Sequence, residues 1–360
     1  MASSNDTSSP ASARALERAH AGERLSAAQA EALFGAGLVD LGRAADAACA
    51  RRHPEPHRTY VIDTNINYTN VCVSGCRFCA FWREPQAPDA YVLDTEQVLA
   101  KIEQAVALGA TQLLMQGGLH PTLPLDWYER LCRAIKAHSP VRVHSLSPPE
   151  IVHLAGLSGL GIEDVLRRLR DAGLDSLPGG GAEILCDRVR RALSPRKCTA
   201  DQWLAVMRAA HAIGMPTTAT MMFGHIETPA ERVEHLMRLR DLQDETGGFT
   251  AFIAWTYQPL NTALGGRAAG GHDYLRTLAV SRLALDNFDN VQASWVTQGP
   301  KIAQVALRFG ANDLGGTTIE ENVVRAAGAC HRMTPDDMAH LIQDAGFEPR
   351  QRDTLYRLIE

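Results

Sequence analysis

Cys72, Cys76 and Cys79 stand in one short run, Val71-Cys72-Val73-Ser74-Gly75-Cys76-Arg77-Phe78-Cys79. Their C-x3-C-x2-C spacing puts three thiolates on one tight loop with no fourth cysteine nearby. A structural zinc site or an electron-transfer iron–sulfur cluster normally takes four protein ligands, whereas three leave one metal position open to a small molecule. An open iron is a reactive iron. Two other uses of the run stay open at this point: a zinc knuckle that borrows a distant histidine, and a redox pair with a spare thiol.

Other segments carry polar groups or glycines where a chain would approach a ligand. Gln116-Gly117-Gly118 and Pro178-Gly179-Gly180-Gly181-Ala182-Glu183 allow close backbone approach, although a tight turn explains either one. The second segment lacks the Lys-Ser/Thr and the spacing of phosphate-binding loops. His225 and Glu227 lie two apart and share a face in extended chain, so they are candidates for moving a proton, or for satisfying a rim. Trp255 and Tyr257 have the same relation and offer rings to stack on.

These residues need a frame. From Thr59 short apolar runs alternate with amphipathic segments, the pattern of repeated β-α units around a parallel sheet. Strands are expected near 60–67, 111–116, 141–145, 175–178, 217–222, 249–254 and 291–294, with a weak eighth near 312–314. The spacings Ser26/Gln29, Thr199/Gln202 and Thr228/Glu231 predict capping boxes, the last with Pro229 at the first helical position. The fold class is therefore α/β, a (β/α)8-like barrel with N- and C-terminal helical extensions, and the candidate residues fall at the C-terminal ends of strands, where such barrels place chemistry. The expected division is a disordered Ala/Ser-rich lead over 1–22, a helical extension and linker over 23–58, the barrel over 59–318, and a helical extension over 319–360, whose last segment from Arg352 is expected to be helical.

The 360 residues, 45% of them hydrophobic, suffice for one barrel with appendages. A formal charge of −5 and the lack of a basic run argue against nucleic acid. No apolar stretch has the length of a membrane span, and the first residues have no signal-peptide pattern, so a cytoplasmic protein is expected. Eight cysteines, five of them scattered outside the run, suit a reducing compartment.

The run Asn67-Tyr68-Thr69-Asn70-Val71-Cys72 and the segments Gln116-Gly117-Gly118-Leu119-His120-Pro121, Leu177 to Glu183, Met221-Met222-Phe223-Gly224-His225 and Gly310 to Thr317 together resemble a group of radical S-adenosylmethionine (SAM) enzymes. That group holds the two futalosine-pathway enzymes of menaquinone biosynthesis and the deazaflavin-forming synthases, and the resemblance runs from about Tyr60 to the C-terminus. Within it, His144 to Glu150, Thr218 to His225 and Ala293 to Lys301 look most like the cyclic dehypoxanthine futalosine synthase family. Aminofutalosine synthase shares the cluster, the fold and the Pro-Gly-Gly-Gly-Ala-Glu segment.

The resemblance implies that Cys72, Cys76 and Cys79 bind a [4Fe-4S] cluster whose fourth iron chelates SAM. From their place at the strand ends, Phe78, Gln116, Gly117, Gly118 and Glu183 are candidates to contact SAM, Arg190 or Lys197 to pair its carboxylate unless each is a solvated salt-bridge partner, and His225 or Glu227 to take the final proton. Where the common form of the second segment is Gly-Gly-Glu, this chain has Gly117-Gly118-Leu119. The implied reaction is cyclisation of dehypoxanthine futalosine: a 5′-deoxyadenosyl radical takes the ribose C4′ hydrogen, and the carbon radical attacks the benzoate ring. A reduced flavodoxin or ferredoxin type protein is the implied electron donor. A non-catalytic iron–sulfur carrier would account for the cysteines alone, but would need neither a barrel nor glycine-rich strand ends.

Overall fold

The computed structural model describes residues 9–359. Residues 57–66 form two consecutive strands, β1 (His57–Val61) and β2 (Asp63–Ile66), with only Ile62 between them. β3 (Gln112–Met115), β4 (Arg142–Ser145), β5 (Thr217–Phe223), β6 (Phe249–Thr256), β7 (Asn290–Gln292), β8 (Asp313–Gly316) and β9 (Glu348–Gln351) follow. β2, β3 and β4 pair side by side, as do β5, β6, β7, β8 and β1 in that order. The bridges His144↔Ser176 and Leu177↔Thr217 join the two sheets, so the circuit closes on the split first strand. The expected strand at 175–178 is reduced to Ser176 and Leu177, because Pro178 has no N–H for a ladder and three glycines follow it.

Helices cover the barrel from outside, and all three predicted capping boxes form, at Ser26, Thr199 and Thr228. The alternation of strand residues turns Asp63 and Asn65 of β2, Gln112 and Leu114 of β3, Thr218 of β5 and Trp255 of β6 inward, around a cavity of about 300 Å³. No helix among the described residues is long and apolar enough to cross a membrane.

Two expectations are corrected at the ends. Pro10–His20 is a helix, capped by Ser9 and opened by Pro10, where a disordered lead over 1–22 was expected; positions 1–8 lie outside the described residues. Its buried face is Ser12, Ala15, Leu16 and Ala19, so small residues make the contact and leave little hydrophobic signal in the sequence. Ser12 Oγ donates to the Ala32 carbonyl at 2.8 Å, which ties this helix to the next. At the other end, Pro335–Asp344 is the expected helix, but the chain then forms β9, parallel to β1 with His57 opposite Glu348. Pro349 disfavours a helix interior there, and beyond β9 the tail turns over 354–356, with Arg352 bridged antiparallel to Leu358. Arg352, Thr354 and Tyr356 thereby line the cavity.

Candidate active site

The cysteine loop leaves the C-terminal end of β2 and is held by backbone hydrogen bonds on three sides. Cys72 N–H donates to Arg83 O at 3.0 Å, Val73 N–H to Leu119 O at 3.0 Å, and Arg77 N–H to Leu193 O at 2.9 Å. A Cβ at Gly118 would collide with the Val71 carbonyl and reach 2.8 Å from Cys72 Cβ, so only glycine lets the end of β3 lie against this loop. Cys76 is buried beside Ser74 Oγ, 3.2 Å away. Burial pushes the Cys72 thiol up, and pushes Cys79 up to about 11, with the neighbouring Cys76 adding to both. Cys72 and Cys79 so placed need a positive partner to ionise, and an iron–sulfur cluster is one. Among the described residues no three His, Cys, Asp or Glu side chains converge on a single ion position. A cubane does not require that, because each thiolate takes a different iron. The donor set fits a cluster with one open iron.

The glycine-rich segment lies across from this loop. Glu183 has a left-handed backbone, φ 43°, and is buried. Its Oε1 accepts from Lys197 Nζ at 2.5 Å, and Lys197 lies 5.3 Å from the centre of the Phe78 ring. Burial alone would raise the Glu183 carboxyl, but the Lys197 and Arg190 charges hold it below the usual range. Burial disfavours the Lys197 charge, yet Cys76 and Glu183 hold the ammonium above its ordinary value. Phe78, Glu183, Lys197 and the cysteine loop are thus neighbours. Gln116 reaches the same place from β3, where a Cβ on Gly180 would collide with its side-chain nitrogen. The Gln116 carbonyl already accepts from Asn67 Nδ2 at 3.1 Å, and Gly117 N–H donates to Glu150 Oε1 at 3.1 Å.

Arg190 does not fit the role expected of it. Its Nε donates to Cys198 O at 3.1 Å, its Nη1 to Gly181 O and Ala182 O at 3.1 and 2.5 Å, and its Nη2 to Cys198 O at 2.6 Å. A guanidinium so engaged fixes the shape of the glycine-rich segment and is not free to fork onto a carboxylate.

His225 and Glu227 lie away from the cavity. Both side chains are fully buried, 2.8 Å apart, and neither lines the cavity. Glu227 accepts from Gly224 N at 2.6 Å, from His225 N at 3.0 Å and from Arg232 Nε at 2.8 Å, and Arg232 in turn pairs with Asp273. Burial would raise this carboxyl, but His225, Arg232 and the backbone donors hold it down at about 2. A carboxylate so satisfied is a rim clamp and a poor base. Trp255 faces the cavity, whereas the Tyr257 hydroxyl turns away to Thr262 and Gly265.

The structure adds residues that spacing did not single out. Glu150 stands behind Gly117, accepting from Tyr68 Oη and Ser147 Oγ at 2.5 Å each, so a carboxylate from the next strand's helix reaches the place where this chain lacks Gly-Gly-Glu. Burial lifts it to about 7. Asp63 sits in the barrel wall, accepting from Thr318 N at 2.8 Å and Gln112 Nε2 at 3.2 Å. Below it Arg352 forks onto Asp313 at 2.6 and 3.0 Å, and Gln292 donates to Tyr356 Oη at 2.5 Å. The one advance signal was the segment Asn312 to Thr317: a Cβ at Gly316 would collide with the Asp63 carboxylate.

A closed parallel barrel with a three-cysteine loop at the C-terminal end of its first strand defines a radical SAM enzyme. A family model described as the Radical SAM superfamily matches residues 66–239, and one described as the CofH/MqnC C-terminal region matches residues 246–360. The chain is 48% identical over 347 residues to the cyclic dehypoxanthine futalosine synthase of Halalkalibacterium halodurans, covering 96% of this chain and 94% of that one. It is 45% identical over 347 residues to the synthase of the same name from Streptomyces coelicolor, covering 95% and 87%. It is also 43% identical over 349 residues to the 5-amino-6-(D-ribitylamino)uracil–L-tyrosine 4-hydroxyphenyl transferase of Methanopyrus kandleri, covering 90% and 95%. The chain belongs to the radical SAM family, in the group that these relatives form. Among solved structures, the FeFe-hydrogenase maturase HydG from Carboxydothermus hydrogenoformans superposes with a TM-score of 0.76 at 16% identity, over 96% of this chain and 80% of that one. Methylornithine synthase (PylB) does so with 0.73 at 16% identity, over 93% and 97%. These two show the fold. The protein is an enzyme, and its family uses a [4Fe-4S] cluster and SAM.

Proposed function

We propose that this enzyme cyclises dehypoxanthine futalosine to cyclic dehypoxanthine futalosine in menaquinone biosynthesis. The observation that carries the reading is 48% identity over 94% of a synthase of that name, joined to a cavity inside the barrel lined by Gln116, Gly180, Trp255 and Trp295. When bound, the cluster and SAM supply a radical that removes one hydrogen atom from the substrate. The chain's own part is to bind, orient and keep water out. Gly117, Gly118, Phe78, Glu183 and Lys197 are assigned to the SAM side of the cavity, and Trp255 and Trp295 to the wall against which an aromatic ring lies. Ring closure within one molecule is fast only from a near-attack geometry, so a narrow cavity with two indole walls suits it. The barrel floor, closed by Arg352 and Tyr356, keeps solvent from entering below.

Reduction of the cluster needs a low-potential one-electron donor, which we assign to a flavodoxin or ferredoxin type protein. Arg77, Arg191 and Arg196 are exposed around the cysteine loop and carry no ion pair among the described residues, and Arg196 Nε donates to Ser74 O at 3.3 Å. A basic collar of this kind favours an acidic partner.

Anaerobic turnover with mass spectrometry tests the reading. The product should be lighter than dehypoxanthine futalosine by two hydrogens, and a C4′-deuterated substrate should yield deuterated 5′-deoxyadenosine. A product that carries the adenosyl group, formed from an enolpyruvyl benzoate, would instead identify an aminofutalosine synthase. The second reading is the 4-hydroxyphenyl transferase, favoured by the 43% identity to an enzyme of that name. Transfer from tyrosine to 5-amino-6-(D-ribitylamino)uracil would establish it.

A further inference from the structure

The inward face of β2 carries two acceptors in sequence, Asp63 and Asn65. Asn65 is 8% exposed, its backbone N–H donates to Glu320 O, and its side-chain amide makes no hydrogen bond among the described residues. Its Oδ1 is buried with no partner, although the amide borders the cavity. An amide left bare in a dry wall is costly, and a ligand that supplies both a donor and an acceptor relieves the cost.

The neighbouring groups narrow the ligand. Asn65 is in register with Leu114 of β3, and Leu114 with His144 of β4, so Asn65 and His144 occupy one layer of the barrel. His144 Nδ1 lies 2.7 Å from Ser176 Oγ, and burial keeps the ring neutral, so its other nitrogen is left for the cavity. Asp63, within the same strand, receives one bond on each carboxylate oxygen, from Thr318 N and Gln112 Nε2, and retains lone pairs for more. Gly316 leaves the room for that carboxylate. Arg352, the cation of the cavity lining, is committed to Asp313 through Nε and Nη2 and to Asp353 O through Nη1. An anion would meet the Asp63 carboxylate with no free cation beside it, and an ammonium could donate to Asn65 Oδ1 but could not accept from the amide N–H groups. A hydroxyl both donates and accepts.

We propose that Asp63, Asn65 and His144 form the subsite for adjacent hydroxyls of a sugar or polyol portion of the substrate. The subsite holds that portion against the first strands of the barrel, leaving Trp255 and Trp295 for the aromatic portion. The inference rests on the proposed function for the identity of the ligand, and its test separates the two.

Binding is measured on the reconstituted, unreduced enzyme by quenching of tryptophan fluorescence, with dehypoxanthine futalosine, its monodeoxy analogues and the ribityl compound of the second reading as probes. Asn65→Leu should weaken the hydroxylated ligand about tenfold or more, and Asn65→Asp, which keeps the acceptor, should bind more tightly than the leucine variant. One monodeoxy analogue should lose a similar factor against the wild type and nothing further against Asn65→Leu. Equal losses in both proteins, or unchanged affinity in Asn65→Leu, would overturn the subsite. If the wild type takes only the ribityl compound, the proposed function fails while the same cycle, run on that compound, still decides the subsite. If the wild type binds neither, the subsite falls as well.

Discussion

Arg352 forks onto Asp313, with Nε 2.6 Å from Oδ2 and Nη2 3.0 Å from Oδ1, and so locks the C-terminal tail into the floor of the barrel. Both side chains are buried, and the guanidinium lies 3.8 Å from the centre of the Tyr356 ring. Thr59 Oγ1 donates to the same carboxylate at 2.6 Å, so β1, β8 and the tail meet at one charge. Removing one partner leaves the other charge bare. Arg352→Met should lower unfolding free energy in urea by about 3–5 kcal/mol, and adding Asp313→Leu should recover part of it. Wild-type stability in the single variant would refute the lock.

The cysteine loop and Gly118 give the second prediction. Cys76→Ala should abolish SAM cleavage with the barrel still folded. Gly118→Ala should do nearly as much, since its Cβ would collide with the Val71 carbonyl and displace the loop that carries Cys72. Iron content and circular dichroism separate loss of cluster from loss of fold. A Gly118→Ala protein with full iron and full cleavage would show that the close approach is dispensable.

Glu150 makes stability depend on pH. Burial lifts its carboxyl to about 7, against about 4.3 in an unfolded chain. Between those values the folded protein holds a proton that the unfolded chain has lost, so stability falls as pH rises through that window, by about 4 kcal/mol. Asp63, lifted to about 6 by burial, acts in the same direction at the lower end. Glu150→Gln should flatten the decline in denaturation curves taken from pH 4.5 to 7. An unchanged slope would mean that another group carries it.

The cysteine run was legible because the chemistry lay within eight consecutive residues, and the strands because apolar runs alternate with capped helices. What the sequence hid was long-range. Asp63 and Gly316 are 253 positions apart, and nothing local marks either as the other's neighbour. Arg190 reads as a free cation until its three backbone acceptors are seen, and His225 with Glu227 reads as a proton relay until Arg232 is found on the same carboxylate. The N-terminal helix hid behind alanine and serine, whose small side chains pack closely with little hydropathy. β9 hid because a strand of Glu348, Pro349, Arg350 and Gln351 has no apolar alternation at all.

Glu227 should therefore behave as a structural group. Its carboxyl is held at about 2, so it contributes stability above about 4.3 that is lost as pH falls toward 2. Glu227→Gln should lower stability at neutral pH by about 2 kcal/mol, the scale of a hydrogen bond to a charged group, and should leave the pH profile of kcat unchanged. A shifted profile would restore it as a base.

Glu183 supplies the last prediction. Its buried carboxylate joins the glycine-rich segment to Lys197, and Lys197 stands between Phe78 and the cysteines, so the charge of one controls the placement of the other. Glu183→Gln keeps the shape and removes the charge. Affinity for SAM should fall about tenfold, consistent with loss of one charge-assisted contact, while iron content stays near that of the wild type. Lys197→Met, which leaves the carboxylate buried and unpaired, should cost more in stability than in cluster content. Equilibrium dialysis with SAM and iron analysis on the same samples read both quantities. Unchanged SAM affinity in Glu183→Gln, with the fold intact, would remove this pair from the SAM side of the cavity.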